Sequence, residues 1–447
     1  MRHMILVLSV LVVVASPASS QKQARVLDKS AQKELAGLAL RFWKARPIHY
    51  FKSWDDQEKA AIFKAAQEWG PTPEGSLEAL TKIFWKPTKK YGARFDKKSG
   101  NRGILKTPYG DAWFFIKGSS KKALVVGLHG GGEGAGSASE PAGTWSMKGA
   151  MGMYPQGIRL VHDTWNTVHG ERFILSMIEI AKCKYQIDPD RVYTMGFSMG
   201  GTGSWFMAGR HPDLLAGSMP CAGVLMARPK SQLPRKEQIK DVQHGMVPNV
   251  RNLAMWYFIG LSDKNCMPGT YLFVADMLQE LREEDKGGYG KINFKTYPGL
   301  AHAMAPGEPS NGIRYLANER RNKFPKKVVW EVATRPHPRR ATGDLVARYN
   351  KQAFYWLRCP DAVDRQIIRA TRAGNRIDLE VEGTRNDAEG ITIMLNPSMI
   401  DVKKDIEVYL EGTRIYQGKP KPNLGTFLTS LNDRADRAMV FDRQIDL

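Results

Sequence analysis

A serine hydroxyl attacks a carbonyl only when a neighbouring base removes its proton. Ser198 stands in Gly196-Phe197-Ser198-Met199-Gly200, after the apolar run Arg191–Met195 and before the helical stretch Gly200–Arg210. A serine between strand and helix sits on a sharp turn. Flanking glycines avoid steric clash there, and the hydroxyl is presented at the C-terminal edge of a parallel sheet, where ligands bind.

The base must reach the same edge. Four histidines follow Ser198: His211, His244, His302 and His337. His211 closes the helix that Ser198 opens, roughly 20 Å away at about 1.5 Å per residue, so it cannot reach back. His244 lies in a polar insertion and His337 in a Pro-rich connector. His302 follows an apolar strand ending at Tyr297, in the loop Pro298-Gly299-Leu300-Ala301, and is delivered to the edge that carries Ser198. A third group must orient the imidazole and stabilise its charge. Asp263 follows the apolar strand Leu253–Ile259 after Gly260-Leu261-Ser262, whereas Asp276 and Asp285 fall on or after the next helix. The order Ser, Asp, His is that of an α/β-hydrolase fold.

Acyl transfer at a serine also needs backbone N–H donors aimed at a tetrahedral oxyanion. Met199 offers one by position. The run His129-Gly130-Gly131-Gly132, after the strand Ala123–Leu128, offers the other from Gly131 or Gly132.

Around these residues, apolar strands alternate with helical stretches from Ala123 to Tyr297. That alternation predicts crossover units and a mostly parallel sheet, α/β in class. A hairpin over Ile104–Lys117 precedes it, turning at Pro108-Tyr109-Gly110-Asp111. Residues 21–100 read as a helical N-terminal region, with Leu35, Leu38 and Phe42 at helical spacing. The catalytic segment is expected over 101–327. From 328 to 447 short alternating strands predict a small antiparallel β-sandwich, with Arg335–Arg340 connecting the two.

The stretches Leu128–Gly132, Tyr185–Tyr193, Gly196–Gly201 and Ala208–Leu214 resemble the α/β-hydrolase superfamily, in particular the bacterial group around poly(3-hydroxybutyrate) depolymerases, feruloyl esterases and phospholipase/carboxylesterases. The resemblance covers Lys121 to Ala305, and it implies ester hydrolysis through an acyl-enzyme without metal or cofactor. Two stretches depart from that group. It usually has a His-Gly pair before the acid, where this chain reads Phe258-Ile259-Gly260-Leu261-Ser262-Asp263, and Trp145–Asn166 fits its pattern poorly. Other readings are a prolyl-oligopeptidase-like peptidase, which usually carries a propeller or similar gating domain not visible here, and an exported binding protein on a disarmed hydrolase fold.

Arg2 and His3 precede the apolar run Met4–Ala15, and small residues lead to Ser20. That is a signal-peptide pattern with cleavage near Ser20, and the run is short of the ~20 residues a stable membrane span needs. An exported protein, periplasmic or secreted, is expected. The net charge of +21 is spread along all 447 residues, with no nucleic-acid motif or aromatic platform beside it. The substrate expected is an ester, with a polymeric or anionic one favoured if the basic residues Lys230, Arg235, Lys236, Lys240 and Arg251 of the insertion Val224–Asn252 rim the pocket. Of the four cysteines, Cys221 ends one predicted strand and Cys266 follows Asp263 by three residues, so a disulfide between them would pin the acid loop.

Overall fold

A computed structural model describes residues 24–47, 50–92, 101–118, 122–131, 136–157, 164–225, 246–266, 268–332, 351–363, 366–383 and 385–447. The leader residues 1–20, the connector Arg335–Arg340, Gly132, His244, His337 and most of the insertion 224–252 lie outside them.

The N-terminal helices α1 (Lys29–Ala45), α2 (Asp56–Trp69), α3 (Leu77–Trp85) and α4 (Thr88–Gly92) form where apolar residues recur at helical spacing. Asp28 and Asp55 cap the first two, accepting the N–H groups of Ala31 at 2.8 Å and Glu58 at 2.9 Å. Leu35, Ala39 and Phe42 of α1 are fully buried.

The chain then runs β1 (Arg102–Thr107), β2 (Gly110–Lys117), β3 (Leu124–Leu128), α5 (Ser139–Thr144), β4 (Met151–Pro155), α6 (Val168–Cys183), β5 (Val192–Phe197), α7 (Met199–Arg210) and β6 (Gly217–Cys221). It continues through β7 (Ala254–Gly260), α8 (Pro268–Glu284), β8 (Ile292–Tyr297) and α9 (Ser310–Leu316). The eight strands form one sheet in the order β1-β2-β4-β3-β5-β6-β7-β8. Only β1/β2 and β2/β4 are antiparallel; every pair from β4/β3 to β7/β8 is parallel. Alternate residues serve opposite faces: Leu124, Val126 and Leu128 join one core cluster, Ala123 and Val125 another. This order, with a serine turn between β5 and α7, is the α/β-hydrolase fold.

Strand β4 was not expected from the sequence, because Met-Gly-Met-Tyr-Pro carries neither β-branched residues nor alternation. All five of its residues are buried, so neighbouring strands and helices, and not local propensity, hold it.

The rest of the chain supplies β9 (Lys327–Glu331), β10 (Ala353–Phe354), β11 (Leu357–Arg358), β12 (Ile367–Ala373), β13 (Arg376–Glu382), β14 (Thr392–Leu395), β15 (Ile406–Leu410), β16 (Thr413–Gly418), α10 (Leu424–Arg434) and β17 (Arg443–Asp446). Two sheets, β10-β11-β14-β17 and β16-β15-β13-β12-β9, close on one shared core, a sandwich. The sandwich is not wholly antiparallel, since β13 and β15 pair in parallel. Helix α10 leaves it to join the core of the N-terminal helices, where Phe427 meets Phe84 edge-on at 5.3 Å. Nearby, the N–H of Thr72 donates to the Pro422 carbonyl at 2.9 Å, and Arg443 pairs with Glu74 at 2.9 Å.

Buried charges tie this C-terminal part to the main sheet. Arg321 pairs with Asp190 at 2.7 Å and Asp436 at 2.9 Å, and Lys182 lies 3.6 Å from Asp436. Asp213 pairs with Arg434 at 2.9 Å and also with Lys351. Burial alone would raise the Asp436 and Asp213 carboxyls, but these cations outweigh it and hold both well below the usual range.

Among the described residues no helix is long and apolar enough to cross a membrane. Cys221 and Cys266 are free thiols, so the bridge that their places at strand ends allowed is not made. Cys221 packs with Met219 and Phe258 on one face of the sheet, while Cys266 packs in the cluster on the other face.

Candidate active site

Strand β5 ends at Phe197, and Ser198 turns the chain into α7 with φ 57° and ψ −125°. L-residues rarely adopt that conformation, so the surrounding structure must enforce it. The Ser198 N–H donates to the Cys221 carbonyl at 3.0 Å, which pins the turn to β6. Close packing explains the flanking glycines: a Cβ on Gly196 would lie 2.4 Å from the Gly200 backbone, and one on Gly200 would lie 2.1 Å from the Leu128 carbonyl oxygen.

Two loops meet this turn from β7 and β8. The N–H groups of Leu261 and Ser262 donate to the carbonyls of Tyr297 and Leu300, both at 3.0 Å, so the acid loop and the histidine loop form one unit. Asp263 is buried, and its Oδ1 accepts the N–H groups of Asn265 at 2.8 Å and Cys266 at 3.0 Å. Its Oδ2 lies 2.7 Å from His302 Nδ1, and His302 Nε2 lies 2.9 Å from Ser198 Oγ. A carboxylate only accepts, so Nδ1 carries the imidazole proton and Nε2 is free to accept from the hydroxyl. The Phe197 ring stands 4.9 Å from the imidazole and limits its tilt. Three residues from separate loops thus form one hydrogen-bonded chain.

Met199 is the first residue of α7, where a helix leaves its N–H groups without intrahelical partners. On the opposite side, β3 delivers His129-Gly130-Gly131. A Cβ on Gly130 would lie 3.3 Å from the Phe197 carbonyl and 3.4 Å from Ser198 Cβ, so backbone approaches the serine directly. Gly131 has φ 84°, the left-handed region that suits glycine.

The role of the His129 side chain was not read from the sequence, where it was only the head of a glycine run. It is fully buried; Nε2 accepts the Gly157 N–H at 2.9 Å, which leaves Nδ1 to donate to the Gly130 carbonyl at 2.7 Å. Trp165 Nε1 donates to the His129 carbonyl at 3.0 Å. Glu140, also unanticipated, accepts the Gly130 N–H, and burial raises its carboxyl above the usual range.

Other residues singled out in the sequence serve elsewhere. His211 is buried at the far end of α7, 2.7 Å from Glu171. Arg251 pairs with Asp285 at 2.8 Å and donates to Asn252, so it is not a free cation at a pocket rim. Cys266 is a neutral thiol: burial, then the Asp263 charge, pushes it up to about 12.

No protein-family model matches the chain, and no curated protein matches it. Its structure is similar to solved structures at low identity. One described as a thermostable esterase is 19% identical with a TM-score of 0.38, covering 49% of this chain and 62% of its own length. Acetyl xylan esterase from Aspergillus awamori is 14% identical with a TM-score of 0.36, covering 48% of this chain and 99% of its own. Acylaminoacyl peptidase from Pyrococcus horikoshii is 16% identical with a TM-score of 0.33, covering 49% of this chain and 39% of its own. At such scores the fold assignment rests on the strand order and the serine turn.

Proposed function

We propose that this chain is an exported serine hydrolase that cleaves carboxylic esters through an acyl-enzyme. The observation that carries this reading is the hydrogen-bonded chain Ser198 Oγ, His302 Nε2 and Nδ1, Asp263 Oδ2, with links of 2.9 and 2.7 Å. In it, His302 Nε2 takes the Ser198 proton as Oγ attacks the ester carbonyl. Asp263 holds the Nδ1 proton in place and stabilises the imidazolium that results. The Met199 N–H, with that of Gly131 or Gly132, stabilises the oxyanion, each donor contributing roughly 3–4 kcal/mol. His302 then gives its proton to the departing alkoxide, leaving an acylated Ser198. Water, deprotonated by the same nitrogen, releases the acid.

Treatment of the full chain with a fluorophosphonate probe tests the reading. Labelling of the wild type, lost in Ser198→Ala and His302→Ala, is expected; an unlabelled, well-folded wild type would sink it. A parallel screen of feruloyl, acetyl and hydroxybutyrate esters against matched amides separates an esterase from a peptidase.

A further inference from the structure

The acid loop carries one metal-ligating side chain that the proposed chemistry does not use. Cys266 sits three residues past Asp263, and one ligand atom each of Asp263, Cys266 and His302 lie within 4.8 Å of one another. All the cysteines among the described residues are free, and only this one stands beside an imidazole and a carboxylate in such a group. We propose that Asp263, Cys266 and His302 form a site for a thiophilic divalent cation, zinc or cadmium, and that filling it switches Ser198 off.

The donor set has the right chemistry, since thiolate sulfur, imidazole nitrogen and carboxylate oxygen are the ligands of tetrahedral zinc, with water as the fourth. Bond lengths of about 2.0–2.3 Å place such ligand atoms about 3.4–3.6 Å apart. The imidazole and carboxylate, now 2.7 Å apart, must therefore open slightly, and the sulfur, within 4.8 Å of both, must settle at that spacing. Two residues of the trio are buried, and entry is from the side of His302, whose side chain is 19% exposed.

The cation inhibits by moving one proton. It takes the Nδ1 lone pair, so the proton that Nδ1 held moves to Nε2, the nitrogen facing Ser198 Oγ. Nε2 then donates to the hydroxyl and cannot accept from it. The thiol loses its proton to solvent, and a dication with one thiolate and one carboxylate leaves the cluster neutral. No bond to Ser198 forms and none of its surroundings is blocked.

The loss of activity rests on the hydrolase reading, but the binding does not, so binding is read separately. Cadmium is titrated into the full chain while the ultraviolet cadmium–thiolate absorption is followed. A saturable band at one cadmium per chain is expected in the wild type. It should vanish in Cys266→Ser and in Cys266→Ala, and weaken roughly tenfold or more in His302→Ala. Circular dichroism checks that each variant is folded. Fluorophosphonate labelling of Ser198 should slow in step with the band, recover on chelation, and be indifferent to cadmium in the cysteine variants. A wild type without the band, or a band that survives both cysteine substitutions, overturns the site even if labelling proceeds. A band beside an unlabelled, metal-free wild type leaves the site standing and overturns the hydrolase reading instead.

Discussion

His129 holds its neighbour Gly130 by the carbonyl: Nδ1 donates to Gly130 O at 2.7 Å, while Nε2 is occupied by the N–H of Gly157. A trans peptide points its C=O and N–H in opposite directions. Fixing the Gly130 carbonyl on one side therefore fixes the Gly131 N–H on the other. Replacing His129 by Ala frees that peptide to rotate. An ester kcat lowered by up to about a hundredfold with KM little changed is expected from steady-state kinetics. An equal loss through KM would count against an oxyanion role.

Asp263 is satisfied by two backbone N–H groups besides His302. Asp263→Asn keeps the size but turns an acceptor into a group that also donates, which favours the wrong imidazole tautomer. A loss of about four orders of magnitude in kcat, with the fold intact by circular dichroism, is the expected result. A loss below tenfold would remove Asp263 from the proposed chemistry.

The ring of His169 packs against Phe51 at 4.7 Å and Tyr109 at 4.9 Å, and both its nitrogens are buried without hydrogen-bond partners. Burial first, and then Arg172, lowers its pKa to about 4. With a folded value below the unfolded one, near 6.5, the unfolded chain takes up the proton first. Stability is then full above about pH 6.5 and drains as pH falls toward 4, by roughly 2–3 kcal/mol from this group. His169→Phe should flatten the fall in urea midpoint between pH 7 and 5. An unchanged slope would assign the loss to other groups such as His211.

Arg321 holds Asp190 and Asp436 inside the protein. Removing it leaves two buried carboxylates short of a partner, so Arg321→Ala should cost roughly 3–5 kcal/mol in urea unfolding. A change under about 1 kcal/mol would mean that water reaches the pair.

The sequence made most of the main sheet and the hydrogen-bonded triad legible, because apolar runs and punctuating glycines recur at each strand end. Ser198, Asp263 and His302 could be placed by asking which strand end delivers each. What escaped was context-made. Strand β4 has no strand composition of its own, and α10 gave no distinct signal beside the alternating strands. The grip of His129 on Gly130 depends on Gly157, 28 residues away, a pairing that no local spacing announces. Cys221 and Cys266 stay unbridged because proximity along strand ends does not say which face a side chain takes.

Helix α10 lies in the core of the first three helices. The early helices therefore cannot complete their apolar packing until synthesis has passed Leu431, hundreds of residues later. Closing so long a loop costs little extra free energy but makes the native contacts distant and slow to find. A chain cut at about residue 420 would lose Phe427, Leu428 and Leu431 together and leave an apolar face on α1–α3 open to other copies. Emergence of α10 is thus the event that lets the early helices finish packing.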